Sequence, residues 1–364
     1  MKIVVAMDSF KGSLTSLEAG NAVKSGILRA CSDAEVSVLP LADGGEGTLD
    51  CIAPFVGGSE IQLTVTGPSG APVDSSFIFD PSGGCAYIEM ARASGLTLVP
   101  ENSRDPLTAT SYGTGELIAD AVRRGARKIF VFIGGSATND GGAGMLQALG
   151  VKLTDSSGMD IGPGAAGLKD LACVDLSGLC LADVSITAAC DVTNPLCGPD
   201  GASFVYGPQK GANPEMCAEM DLYLANLASV TGFSPSEAGT GAAGGISFAL
   251  KNLCGAGLMS GAEMVMAVTS AEHEIKDSDI VITGEGRMDN QTVKGKAPSK
   301  ILELGLEYGK PVYGICGITG EGVEQCFEAG FTKIVPLVRP VMERDEAIRS
   351  VVETAESLIR CQVR

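Results

Sequence analysis

Residues 128–150, KIFVFIGGSATNDGGAGMLQALG, leave this chain few architectures. KIFVFIG is a continuous apolar run, as expected for a strand covered on both faces, and MLQALG has helical spacing. Between them, GGSATNDGGAGM packs glycines, two hydroxyls, an amide and a carboxylate into one strand-to-helix turn. A covered strand that turns tightly into a helix is the start of a βαβ unit, which predicts an α/β fold with parallel strands. The glycines let the backbone approach a ligand, and the helix start offers unpaired N–H groups and the positive end of its dipole to an anion. A Gly-rich turn that binds nothing is the bland alternative. Such a turn has no need of Ser136, Thr138, Asn139 and Asp140 together, so the loop predicts phosphate contacts from Gly134, Gly135, Ser136, Thr138, Asn139, Gly141 and Gly142.

The same plan recurs at the start of the chain. KIVVAM reads as a strand, DSFKGS as a loop, and TSLEAGNAVKSGILRA as a helix with Thr15 and Glu18 in capping-box register. EVSVLPLA, DGGEGT and LDCIAPFV repeat it as strand, turn and short helix. The two loops place Asp8, Ser9 and Lys11, then Asp43 and Glu46, at the C-terminal edge of a parallel sheet, where ligands bind in such folds. From 57 to 98 the texture changes to short strands broken by Gly, Pro, Ser and Asp, as in antiparallel structure. VKLTDSSG, DLSGL and SITAAC read as further strands, and PEMCAEMDLYLANLASV and GGISFALKNL as helices. From DIVITGEG onward βαβ alternation returns. A chain of 364 residues exceeds one ordinary core. The reading is therefore two domains: a discontinuous Rossmann-like domain from 1–60 and 263–364, and an inserted α/β domain at 61–262. The unit at 105–150 could belong to either sheet.

Composition excludes several chemistries. The formal net charge of −18 disfavours nucleic acid or an anionic membrane as partner. The twelve cysteines form no CxxC pair and many sit in apolar runs, and no signal peptide or long apolar span is apparent, so a cytoplasmic protein with reduced thiols is expected. The single histidine, His273, lies in the polar stretch AEHEIKDSD, which argues against Ser-His-Asp catalysis and histidine-based zinc sites. Carboxylates, lysines, hydroxyls and backbone amides remain, the groups of magnesium-assisted phosphoryl transfer.

No GxxxxGK[ST] loop occurs, and the GxGxxG at Gly239, Gly241 and Gly244 follows SPSEA, which is no strand. That segment reads either as an anion loop at a helix start or as a capping turn. DVTNPLCG places Asp191 and Asn194 at a strand end, where a carboxylate can bind Mg²⁺ or accept a hydroxyl proton; a Pro-containing turn is the alternative. YGPQKGA offers Gln209 and Lys210, suited to a carboxylate or phosphate. TGEGRMDNQTVKGK follows a clean strand with Glu285, Arg287, Asp289, Lys294 and Lys296.

DSFKGSLT, LADGGEGT, GTGELIADAVRRG, GGSATNDGGAGMLQALG, CDVTNPLCG, QKGA, GAAGG and TGEGRMDNQTVKGKAP, in that order, resemble the type I glycerate kinase family of bacteria. The resemblance spans essentially the whole chain. It implies ATP-dependent phosphorylation of D-glycerate, most often to 2-phosphoglycerate, by a Rossmann-like domain and a second α/β domain with the site in the cleft between them. Met7, Thr240 and Lys294 depart from the family's usual Pro, small apolar residue, and His or Gln. Taking residue types and resemblance together, ATP phosphates are expected on the GGSATNDGG amides with Glu285 and Arg287, and Mg²⁺ on carboxylates among Asp43, Asp140 and Asp191. Lys11, Lys210 and Arg287 are expected to neutralise charge on acceptor and phosphoryl group, Asp191 to accept the hydroxyl proton, and Asp8, Ser9, Asn194, Gln209 and Lys296 to bind glycerate. Phosphorylation of another small hydroxy acid, and a non-catalytic sensor of a phosphorylated metabolite, stay open as alternatives. Small molecules are the expected partners.

Overall fold

A computed structural model describes residues 1–10, 13–338 and 343–362. The chain divides into two compact units, Met1–Asp43 with Ala262–Arg364, and Gly44–Gly261. Residues 44–60, expected with the end-built domain, belong to the second unit. Two interactions draw them there: the buried Glu89 carboxylate accepts the N–H groups of Gly47 and Leu49, and the strand Ser59–Thr66 pairs with Pro72–Asp80.

Among the described residues, the first unit is built on a five-stranded parallel sheet in the order Lys333–Pro336, Val312–Cys316, Ile280–Gly284, Lys2–Met7, Glu35–Pro40. After Lys2–Met7 the chain adds Glu35–Pro40 on one side and later Ile280–Gly284 on the other. The strand order therefore reverses between Lys2–Met7 and Ile280–Gly284, the point at which open α/β sheets accept ligands. Met7 pairs with Gly284, so Asp8 and Glu285 leave the sheet side by side at that reversal. Ile3, Val5, Ile282 and Ile315 form the buried sheet face, joined by Val23 and Ile27 from one helix and Val351 from another.

Those two helices are Ser16–Ala30 and Arg344–Gln362. The first starts with the expected capping box: the Thr15 hydroxyl accepts from the Glu18 N–H, while the Glu18 carboxylate accepts from the Thr15 N–H. They cross so closely that a Cβ on Gly26 would lie 2.3 Å from the Val352 carbonyl oxygen. Gly26→Val is expected to destabilise this unit by about 1–3 kcal/mol through overpacking. The check is the chemical-denaturation midpoint, and an unchanged midpoint would mean that the helix pair has room to spare.

The second unit carries, among the described residues, a six-stranded sheet ordered Gly257–Met259, Ser185–Ala189, Lys128–Phe132, Cys85–Glu89, Pro72–Asp80, Ser59–Thr66. The first four strands are mutually parallel and the last two are added antiparallel. The 105–150 unit thus lies in this sheet. Phe77, Ile88, Leu117, Val131, Leu146 and Phe248 are central to its core. The DLSGL segment is not a strand. The chain leaves Cys173–Asp175 and turns into the 3₁₀ helix Leu176–Gly178, because the Asp175 side chain accepts the Ser177 N–H and favours a cap over an extended ladder. Among the described residues, no helix is long and apolar enough to cross a membrane.

Candidate active site

Glu89, Phe132 and Ala189 are register partners across three parallel strands of the second unit. The loops beginning at Met90, Ile133 and Cys190 therefore leave one sheet edge. Three Gly-rich segments then meet there backbone to backbone. The Gly134 N–H donates to the Gly44 carbonyl at 3.1 Å, and a Cβ on Gly134 would come within 2.6 Å of the Gly45 Cα. From the other side the Gly141 N–H donates to the Gly244 carbonyl at 2.9 Å. Gly244 has φ +65°, and a Cβ there would meet the Thr138 carbonyl oxygen at 2.0 Å. The glycines of the GxGxxG segment thus allow close packing against the 134–142 loop. Ala243, beside them, is held at φ +54°, a costly conformation for a residue with a side chain.

Asp140 governs the shape of the central loop. It is fully buried; one carboxylate oxygen accepts from the Gly142 N–H, and the other from the Ser111 N–H, the Ser111 hydroxyl and the Gly144 N–H. Burial pushes its carboxyl above the ordinary range, against the lowering effect of these bonds. The helix Ala143–Ala148 therefore does not begin with open N–H groups as its sequence suggested. The buried carboxylate caps Gly142 and Gly144, and the Ser111 hydroxyl accepts the Met145 N–H. An Asp140 so enclosed holds the loop together, and of the three carboxylates expected to hold metal, Asp43 and Asp191 are the exposed ones.

Lys210, on the turn Pro208–Lys210, is only 2% exposed. Its ammonium donates to the Ser136 hydroxyl at 2.8 Å and to the Thr138 carbonyl at 2.6 Å, which joins the QKGA and GGSATND motifs in one place. Burial lowers its pKa to about 7, partly opposed by the charge of Asp140. Thr138 Oγ1 and Asn139 Oδ1 are buried without a hydrogen-bond partner, while the Asn139 amide donates to Ser203 Oγ at 2.9 Å. Buried polar atoms left unpaired are costly, and they cluster where a ligand or water completes them. Among the cofactor-loop residues, Gly135 is exposed and Gly134 half-buried, and both stay at the accessible end; Gly141 and Gly142 are buried.

Asp191 is exposed at the end of its strand, and its Oδ1 accepts the Gly261 N–H at 2.9 Å, which fixes the direction of the carboxylate. Asn194 is committed to structure: its Oδ1 accepts from the Tyr206 hydroxyl and its amide donates to the Asp200 carbonyl. Gln209 has an exposed side chain, and its carbonyl accepts from Arg104 Nη1 at 3.1 Å.

In the first unit, the Asp8 carboxylate accepts the Ser9 N–H just after the strand Lys2–Met7. The buried Glu285 accepts from the Thr292 hydroxyl at 2.7 Å and pairs with Lys296 at 3.0 Å. Arg287 is largely exposed and pairs with Asp289 at 3.0 Å. Asp43 is exposed after Glu35–Pro40. Lys11 lies outside the described residues.

Sequence reasoning overlooked Glu89, Ser111 and Arg104. A carboxylate closing the apolar run CAYIE was the available signal for Glu89, whose carboxyl burial pushes up while the Leu49 and Gly47 N–H groups pull it down. Among the described residues no three His, Cys, Asp or Glu side chains converge as a metal-binding group. Exposed single carboxylates do suit Mg²⁺, which binds through one or two of them and fills its shell with substrate phosphate and water.

The model of the glycerate kinase family matches residues 3–363. A protein of Escherichia coli K12 named glycerate 2-kinase is 45% identical over 96% of this chain and 93% of its own length. The glycerate kinase of Bacillus subtilis 168 is 43% identical over 99% of this chain and 96% of its own. A candidate glycerate kinase 2 from Salmonella typhimurium LT2, known from a crystal structure, superposes with a TM-score of 0.88 at 44% identity, over 100% of this chain and 97% of that one. Fold and relatives together define an α/β enzyme of the kinase class. The chain belongs to the glycerate kinase family.

Proposed function

We propose that this enzyme transfers the γ-phosphoryl group of ATP to the 2-hydroxyl of D-glycerate, giving 2-phosphoglycerate and ADP. The observation that carries the reading is 45% identity over 96% of the chain to a relative named glycerate 2-kinase. In this proposal the Asp191 carboxylate, aimed by the Gly261 N–H, takes the proton of the attacking hydroxyl as the new P–O bond forms and the bond to the ADP oxygen breaks. Lys210, with Arg287 and Lys11, neutralises the charge of acceptor and phosphoryl group. The accessible end of the 134–142 loop, Gly134 and Gly135, with the buried Ser136 beside it bonded to Lys210, takes nucleotide phosphate, and Glu285 sets Lys296 by pairing with it. Asp8, Ser9, Gln209 and Lys296 are assigned to the acceptor. With Asp191 assigned to the proton, Asp43 is the exposed carboxylate suited to hold Mg²⁺, which supplies charge neutralisation on the phosphates when bound.

The test is ADP release by purified protein with ATP and Mg²⁺, offered D-glycerate, L-glycerate or no acceptor. Turnover confined to D-glycerate is the expected result, and turnover only with another hydroxy acid would replace the substrate.

A further inference from the structure

Lys210 forms part of the floor of a small pocket that lies wholly within the second unit, beside Ala137 of the central loop. Arg104 forms another part of its wall. The Arg104 guanidinium is tethered to the lysine's own turn by the 3.1 Å bond from Nη1 to the Gln209 carbonyl, while its Nε is buried with no hydrogen-bond partner. Ser69 and Thr108 bring hydroxyl groups to the lining and Val99 an apolar surface. The one carboxylate there, Asp105, is already engaged: it accepts the Leu107 N–H at 3.0 Å and the Thr108 hydroxyl at 2.9 Å. The free space is about 40 Å³, room for a few water-sized groups and far too little for a nucleoside.

We infer that this pocket is the carboxylate subsite for the hydroxy-acid acceptor, with Arg104 and Lys210 as its two cationic contacts. The inference rests on the kinase reading above and adds Arg104, Ser69 and Thr108 to it. A guanidinium presents its donors in a planar fork that matches a carboxylate, and the bond from Nη1 to the Gln209 carbonyl holds the Arg104 fork in this wall. Lys210 directs two bonds to Ser136 and Thr138, which leaves one of its three N–H groups for the occupant. Two cations in one small, partly apolar recess are poorly hydrated when empty, and an incoming carboxylate supplies the missing partner.

The test compares wild-type protein with Arg104→Gln and Ser69→Asp, the latter placing a repelling charge on an exposed turn where folding is little affected. Steady-state kinetics and calorimetric titration of D-glycerate are measured in parallel with titration of ATP. Arg104→Gln is expected to raise the KM and Kd for glycerate by about 10- to 100-fold, with kcat and the Kd for ATP little changed; Ser69→Asp should act in the same direction more weakly. A glycerate KM unchanged in both variants, or a loss confined to ATP, would overturn the inference while leaving a wild-type glycerate kinase intact. Wild-type turnover of a different hydroxy acid would instead overturn the substrate reading, and the same variant ratios measured with that acid would then decide the pocket.

Discussion

Asp191→Asn is expected to lower kcat by about 10²- to 10⁴-fold, the usual cost of removing a proton acceptor. The substitution keeps the shape of the side chain and an oxygen that can accept the Gly261 N–H. It removes the negative charge and the basicity. Both effects fall on the transition state, where the hydroxyl proton is in transit, so kcat and kcat/KM should drop together. The strand end itself should hold, because Ser185–Ala189 pairs on both sides, with Lys128–Phe132 and Gly257–Met259. Turnover within a few fold of wild type would remove Asp191 from the proton-accepting role.

Lys210→Met is expected to lower kcat/KM by about 10²- to 10³-fold, the range for losing one preorganised charge-stabilising donor. Methionine preserves much of the buried stem and leaves no ammonium. In the wild-type protein the same residue sets a pH dependence. Its folded pKa is about 7 where a free lysine titrates at 10.5. The charged form that attracts an anion is therefore present below about 7 and is lost as pH rises through it. Since kcat/KM reports the free enzyme, it should fall on the alkaline side of about 7. A bound carboxylate favours the ammonium, so kcat should hold to higher pH than kcat/KM. A kcat/KM profile flat from pH 6 to about 9 would contradict this account of the lysine, because the shifted group must titrate inside that window.

Much of the fold is legible in local pattern. The apolar runs KIVVAM, KIFVF and IVITG are buried parallel strands, and Thr15 with Glu18 does form the box that starts its helix. What the pattern cannot express is the long-range use of its glycines and carboxylates. The turn after residue 134 reads as a helix start open to anions, yet Asp140 and Ser111, far apart in sequence, take the N–H groups of Gly142, Gly144 and Met145 internally. In sequence Gly244 reads as part of an anion loop at a helix start or of a capping turn; its place against the Thr138 carbonyl explains it by contact with a loop more than a hundred residues earlier. Local pattern groups the helix Thr48–Ile52 with the strand before it, whereas a glutamate at the end of the third strand after it holds its first turn. Lys210 is recognisable as a candidate cation, but its burial, and with it the lowered pKa, the bond to Ser136 and the tether of Arg104 to the lysine's turn, depends on tertiary packing alone.

The most direct measurement is the phosphorus spectrum of the product formed from ATP and D-glycerate, recorded without proton decoupling. A phosphoryl group on the 2-oxygen neighbours a single carbon-bound proton and gives a doublet, which is the predicted result. A triplet would place it on the 3-oxygen, next to a CH₂ group, and a spectrum with only ADP and inorganic phosphate would mean that glycerate is not the acceptor.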